Sequence, residues 1–301
     1  MDKKNICVLG PTASGKSDLA IALAKKYNGE IISADSRQIY RGMDIGTGKV
    51  PRDFSANSEF FSDGIRHHLI DVASPKRAYN VTHFARDAKK AATDIQKRGK
   101  IPIICGGTGF WAQALIEGTT FPPVKPDLKL RKKLTKLSAE KLFSILTKKD
   151  PSRAASIDPK NKVRLIRALE IIESLGKVPS PTANHKLKTA NYLIIALNPD
   201  KEILQKNIET RLDKRLKRGM VAEVERLREE GVGWKRLESF GLEYRNIALF
   251  LQNKIPRQTM RDRILRESFQ YAKRQLTWLY RLEKMGATIH WITNPKDALL
   301  L

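Results

Sequence analysis

The apolar positions of the chain fall into short unbroken runs separated by longer stretches of helical spacing. NICVLG (5–10), EIISAD (30–35), IPIICGG (101–107) and YLIIALN (192–198) are such runs. TIHWI (288–292) predicts a further strand, and HHLIDV (67–72) a short strand or turn. Runs of this length, bounded by polar or glycine residues, predict strands buried on both faces. Between the first two, Leu19, Ile21, Leu23 and Ala24 set an apolar stripe on a helix over 14–26. Residues 82–98 carry another helical pattern, ended by Gly99, and GFWAQALIEG (109–118) opens a third. Strands alternating with helices predict a parallel sheet covered on both faces. Residues 119–191 interrupt the alternation. They open on FPPVKP (121–126), continue through the helical patterns LKLRKKLTKL and VRLIRALEIIESLG, and close on the polar, proline-bearing KVPSPTANHK (177–186). The expected organisation is an α/β core from 1–118 and 192–301, mainly helical after 200, interrupted by a helical insertion over 119–191.

Charge adds a partner to this picture. The 301 residues carry 57 Lys and Arg against 32 Asp and Glu, a net charge of +25. Such an excess points to a polyanion, nucleic acid first, because each neutralised phosphate releases counterions. The insertion concentrates it, with 17 basic residues against 6 acidic ones. RLDKRLKRG (211–219) and the segment 257–281 are the other basic stretches. Cys7 and Cys105 lie in apolar runs and are expected to be buried thiols, not a disulfide or metal site. Adjacent histidines in a strand point to opposite faces, so His67 and His68 are not read as a metal pair. No run approaches the ~18 apolar residues of a membrane span, and the first residues lack a secretory pattern. The expectation is a cytoplasmic protein without a membrane anchor.

The chemistry begins at residues 10–17. Gly10, Pro11, Thr12, Ala13, Ser14, Gly15, Lys16 and Ser17 spell G-x-x-x-x-G-K-[ST] between a predicted strand and a predicted helix, the setting that a phosphate loop requires. The glycines let backbone N–H groups turn around an anion, and the helix aims its positive end at the same point. Lys16 is expected on a terminal phosphate and Ser17 on Mg2+. A phosphoryl-transfer enzyme also needs an acid at a strand end to support the metal. The run 101–107 leads into GGT instead, which leaves Asp35 and Asp71 as the acids at strand ends. These residues alone leave open which phosphorylated compound binds.

Larger motifs narrow the choice. GPTASGKS is followed in order by DSRQIYRGMDIGT (35–47), HHLID (67–71), GGTGFW (106–111), VRLIRALE (163–170), RLDKRLKRGMVAEV (211–224) and RQLTWL (274–279). From residue 10 to about 280 the chain closely resembles the tRNA dimethylallyltransferase family, also called tRNA isopentenyltransferases. The resemblance implies a phosphate-loop α/β fold of the NTPase type with a helical insertion. It also implies transfer of a dimethylallyl group from dimethylallyl diphosphate to the exocyclic amine of the adenosine 3′ of the anticodon, in tRNAs that read codons beginning with uridine. The loop then holds a leaving group, with Mg2+ at Ser17. Asp35 matches the family's general base, Thr108 a threonine at the reaction centre and Arg211 an arginine facing the diphosphate. The family pattern places tRNA contacts at Asp35, Ser36, Arg37, Gln38 and Thr108, at Arg131, and along Val163, Arg164, Leu165, Ile166 and Arg167. The basic insertion would clamp the anticodon stem-loop of the tRNA, and the enzyme is expected to act as a monomer.

The chain departs from the family at GKVP (48–51), at Arg215, where methionine is common, and at the spacing of Gly241 and Tyr244. Three other readings share parts of the pattern. An isopentenyltransferase acting on free AMP or ATP has the loop and base but less need of the insertion. A phosphate-loop small-molecule kinase would couple ATP consumption to a phosphorylated product. A non-enzymatic RNA-binding switch would keep its function without Asp35.

Overall fold

A strand with four of its five residues buried needs cover on both faces, and Asn5–Leu9 (β1) has it. The computed structural model describes residues 5–53, 59–119, 121–179 and 191–300. After β1 the chain forms α1 (Lys16–Tyr27), β2 (Gly29–Ser33), β3 (Phe60–Ser62), β4 (Ile65–His68), α2 (Val81–Lys97), β5 (Ile101–Gly106) and α3 (Gly109–Ile116). Four helices follow: α4 (Leu128–Leu134), α5 (Ala139–Lys149), α6 (Pro151–Ser156) and α7 (Lys162–Leu175). The sheet resumes with β6 (Tyr192–Leu197). Helices α8 (Lys201–Lys217), α9 (Met220–Glu229), α10 (Trp234–Ser239), α11 (Leu242–Leu251) and α12 (Arg257–Lys284) precede the last strand, β7 (Ile289–Ile292). Among the described residues the strands make one seven-stranded sheet in the order β3-β4-β2-β5-β1-β6-β7. All neighbours are parallel except β3 and β4.

Side-chain alternation divides the core. Ile6 and Val8 of β1 join Ile31, Ile103 and Ile195 under Leu19 and Leu23 of α1. Cys7 and Leu9 point the other way, with Ile32 and Ile104, into the cluster that holds Phe84, Trp111 and Met260. Both thiols are free and buried, as expected, and burial pushes Cys105 up to about 11. The sheet therefore presents the carboxyl ends of β1, β2 and β5 side by side, the edge where open α/β sheets hold ligands.

Two details add to the expected elements. The hairpin strand β3 was not legible, because Phe60–Ser62 is too short to show a period. The HHLIDV stretch is strand only to His68; Leu69 and Asp71 leave the sheet with φ of 63° and 58°. Asp71 pairs with the buried ammonium of Lys49, so it is already engaged as a structural counter-ion. The histidines do face apart: His67 packs on Phe60, while His68 Nε2 lies 2.7 Å from Glu30.

The chain divides into two compact units, 1–119 with 187–301, and 120–186. The second unit is helical. Asp127, Ser138, Asp150 and Asn161 accept backbone N–H bonds at the starts of α4 to α7, as polar caps do. Leu142, Leu146, Leu165 and Leu169 form the centre of its core. Residues 180–186 of the predicted polar loop lie outside the described residues. No helix among the described residues is long and apolar enough to cross a membrane.

One buried acid organises the helical unit. Glu170, 2% exposed, accepts the Asp127 amide at 2.7 Å and a forked pair from Arg131 at 2.8 and 2.7 Å, with Arg167 bound to the same carboxylate. Burial alone would raise its pKa; the two guanidiniums and the amide outweigh it and hold the group down at about 2. A folded pKa below the unfolded 4.5 means that this stabilisation is complete above pH 4.5 and lost as pH falls through 2. Glu170→Gln is expected to lower stability at pH 7 by about 2 kcal/mol, less than a fully buried pair because both arginines stay partly solvated. It should also flatten the acid limb of stability between pH 4.5 and 2. Thermal melts across pH 2 to 7 measure both effects.

Candidate active site

The phosphate loop joins β1 to α1 through backbone that few residues adopt. Gly15, at the N-cap of α1, has φ 84°, and Ala13 has φ 62°. No side chain caps α1, so its first-turn amides are available to an anion. Lys16 folds back, its ammonium donating to the Pro11 carbonyl at 3.1 Å. Ser14 Oγ is buried and takes no hydrogen bond from the described residues. From α8, Asn207 donates to the Ala13 carbonyl at 3.4 Å and Arg211 donates to Thr12 Oγ1. Residues 13–18 and α8 enclose a cleft of about 580 Å³. Burial lowers the pKa of Lys16. Burial, reinforced by the neighbouring Arg215, brings the Arg211 guanidinium down to about 9. Both shifts report positive charge held away from water, which an anion would relieve.

A second cleft, of about 460 Å³, opens beside the first. Asp35 lines it, two residues beyond the end of β2. Its Oδ1 accepts the Arg37 amide at 2.8 Å and the Gln38 amide at 3.4 Å, a turn that fixes the carboxylate while Oδ2 takes no described hydrogen bond. Thr108 occupies the N-cap of α3 without capping it; its Oγ1 accepts the Ser36 amide at 3.2 Å. Tyr271 of α12 lines the same cleft, and burial holds its phenol well above the usual range. The charge of Asp35 acts on Lys16, Arg211 and Tyr271, so these groups share one electrostatic neighbourhood.

Two residues with no role in the sequence reading fasten this region. Gln275 accepts the Thr12 amide at 2.7 Å and donates to the Gly107 carbonyl at 2.8 Å, tying the phosphate loop to the end of β5. Glu223 of α9 accepts the amides of Asp44, Ile45 and Gly46 at 2.7, 2.6 and 3.0 Å, and the Tyr244 hydroxyl at 2.7 Å. The available signal was a polar residue on an apolar helix face. Gln275 stands seven residues after Ser268 on the buried face of α12, and Glu223 faces inward beside Met220, Val224 and Leu227.

The structure places Thr12 to Ser17, Asp35, Ser36, Arg37 and Arg211 on the walls of the two clefts, with Thr108 bonded to Ser36; Gly10 and Pro11 lead into the loop and line neither cleft. Gln38 is different: its side chain accepts from Ser33 Oγ at 3.1 Å and donates to the Gly48 carbonyl at 3.3 Å, so it braces the loop and lines neither cleft. In the helical unit Val163 and Arg164 are exposed, whereas Leu165 is fully buried and has no surface to offer an RNA. Ile166 packs against that core. Arg131 and Arg167 are bound to Glu170 with only 39% and 34% of their side chains exposed. Helix periodicity is the reason: a run of five consecutive residues cannot lie on one face.

A sheet of this order, with a phosphate loop after the interior strand β1, defines the phosphate-loop class of α/β proteins. Residues 38–282 match the IPP transferase family and residues 4–61 the isopentenyl transferase family; the chain belongs to the IPP transferase family. It is 40% identical to tRNA dimethylallyltransferase 1 of Geotalea daltonii, over 98% of this chain and 92% of the relative. It is 42% identical to tRNA dimethylallyltransferase 2 of Treponema denticola, over 97% and 96%. Among solved structures it resembles the tRNA isopentenylpyrophosphate transferase of Bacillus halodurans, with a TM-score of 0.67, 34% identity and coverage of 96% and 89%. It also resembles a eukaryotic dimethylallyltransferase acting on tRNA, with a TM-score of 0.80, 29% identity and coverage of 97% and 74%.

Glu223→Gln turns amide hydrogens toward amide hydrogens. It is expected to cost about 3 kcal/mol, since buried donors lose a charged acceptor. Urea denaturation checks the stability loss.

Proposed function

We propose that this protein transfers a dimethylallyl group from dimethylallyl diphosphate to the exocyclic amine of the adenosine 3′ of the anticodon in tRNA. What supports the reading is one juxtaposition, in a chain of this family. A desolvated, cation-rich phosphate loop adjoins a cleft whose wall carries a fixed carboxylate. The loop side takes the diphosphate and the Asp35 side takes the adenine, displaced from its stack as base-modifying chemistry requires. The amine nitrogen forms a bond to the allylic carbon as that carbon's bond to oxygen breaks. The electron pair leaves on the diphosphate, where loop amides, Lys16 and Arg211 stabilise it. Asp35 accepts the proton lost by the amine, and the products are isopentenyladenosine in tRNA and free diphosphate. Thr108 and Tyr271 position the amine.

The residues at the loop fit Mg2+. Ser17 and Asp18 line the diphosphate cleft, and magnesium takes oxygen ligands while keeping several waters, so the Ser17 hydroxyl with substrate phosphates would hold it. When bound it would supply further charge neutralisation of the diphosphate. The helical unit adds long-range attraction for the anticodon stem-loop through its basic surface.

Incubation with labelled dimethylallyl diphosphate is expected to label the anticodon loop of tRNA and not AMP; label in AMP alone would overturn the proposal. Asp35→Asn keeps the Oδ1 acceptor that holds the turn but removes the base. It should lower kcat by about 100- to 10,000-fold with tRNA affinity retained, measured by single-turnover kinetics and filter binding. Retention of full turnover would exclude Asp35 as the base.

A further inference from the structure

Among the described residues, Arg215 is the only one that lines both clefts. It follows Arg211 by four residues on α8, so the two guanidiniums leave the same helix face. Its side chain is 11% exposed, yet its contacts are slack: Nη1 lies 3.4 Å from the Gly46 carbonyl and 3.5 Å from Glu243 Oε1. A settled guanidinium–carboxylate pair closes to about 2.7–2.9 Å. The chain makes room for this side chain, since Gly48 has φ 64° and a Cβ there would collide with the guanidinium. Positive charge at Arg215 disfavours the charged forms of Lys16 and Arg211, whereas Glu243 favours that of Arg211. The group is thus near the phosphate loop, partly desolvated and loosely held.

We infer that Arg215 is a further diphosphate-binding residue, which exchanges its loose pairing with Glu243 for the substrate's phosphate oxygens. A guanidinium suits this exchange because its planar fork donates two parallel bonds to a phosphate. Once there, it is a third cation facing the oxygen from which the allylic group departs, where negative charge grows in the transition state. Glu243 is a positioning residue: it keeps Arg215 at the junction of the clefts and competes with the diphosphate for it. The inference rests on the proposed function in one respect, that a diphosphate occupies the loop.

The test is calorimetric binding of inorganic pyrophosphate to the full chain, without tRNA, for the wild type, Lys16→Ala, Arg215→Met, Arg215→Lys and Glu243→Gln. Each variant's melting temperature is recorded. Arg215→Met is expected to weaken pyrophosphate binding by about tenfold and to raise KM for dimethylallyl diphosphate while leaving KM for tRNA unchanged. Arg215→Lys should recover part of the loss, and Glu243→Gln should tighten pyrophosphate binding by roughly two- to fivefold, since a competing carboxylate is removed. A bridge that merely fastened residues 46–48 to α11 would make both Arg215→Met and Glu243→Gln weaken binding, and that result overturns the inference. Binding that depends on Lys16 but not on Arg215 also overturns it, with the loop reading intact. A wild type that binds no pyrophosphate removes both.

Discussion

Positive charge held out of water is the constraint on which this molecule turns. Lys16, Arg211 and Arg215 converge at the carboxyl ends of central parallel strands, and burial works against the charge of the first two. Like charges in a poorly solvated place repel strongly. They are brought together by the backbone: Lys16 lies in a loop anchored between strand and helix, and the two arginines leave one face of α8. The same field favours a polyanionic substrate and stabilises the negative charge that accumulates on the leaving group. An enzyme that must break an allylic carbon–oxygen bond needs that field in place before the substrate arrives.

Rigidity comes from buried polar groups, not from more apolar packing. Glu223 gathers three consecutive amides and a phenol, which fixes residues 44–46 beside the cleft that Gly46 lines. Gln275 ties the phosphate loop to the end of β5. Glu170 of α7 does the comparable task in the helical unit, accepting the Asp127 amide and Arg131 of α4 together with Arg167 of its own helix. In each case an acceptor inside the fold satisfies donors that would otherwise be costly to bury, and loops acquire one conformation as a result.

Several of these assignments qualify the pattern-level reading of individual residues. Arg131 and Arg167, expected as RNA contacts, also close their guanidiniums on Glu170. Gln38, expected as an RNA contact, also braces the loop at Gly48. Asp71 read as an alternative acid for a metal and neutralises Lys49. A motif records that a residue type is required at a position; it does not say whether the requirement comes from a ligand or from the fold.

The sequence by itself determined the alternating α/β architecture, the phosphate loop and its strand–helix setting, the buried cysteines and the family. Each of these is written locally, in apolar runs, in helical spacing or in a contiguous motif. Tertiary structure alone decided which acids and cations meet. Asp35 and Arg211 are separated by most of the chain, and only the sheet order and the return of α8 over the loop bring them into one neighbourhood. Glu223, Gln275 and Arg215 acquired their places in the same way. A polar side chain on a helix carries no mark of its partner, because the partner is a backbone amide or a cleft supplied by a remote segment.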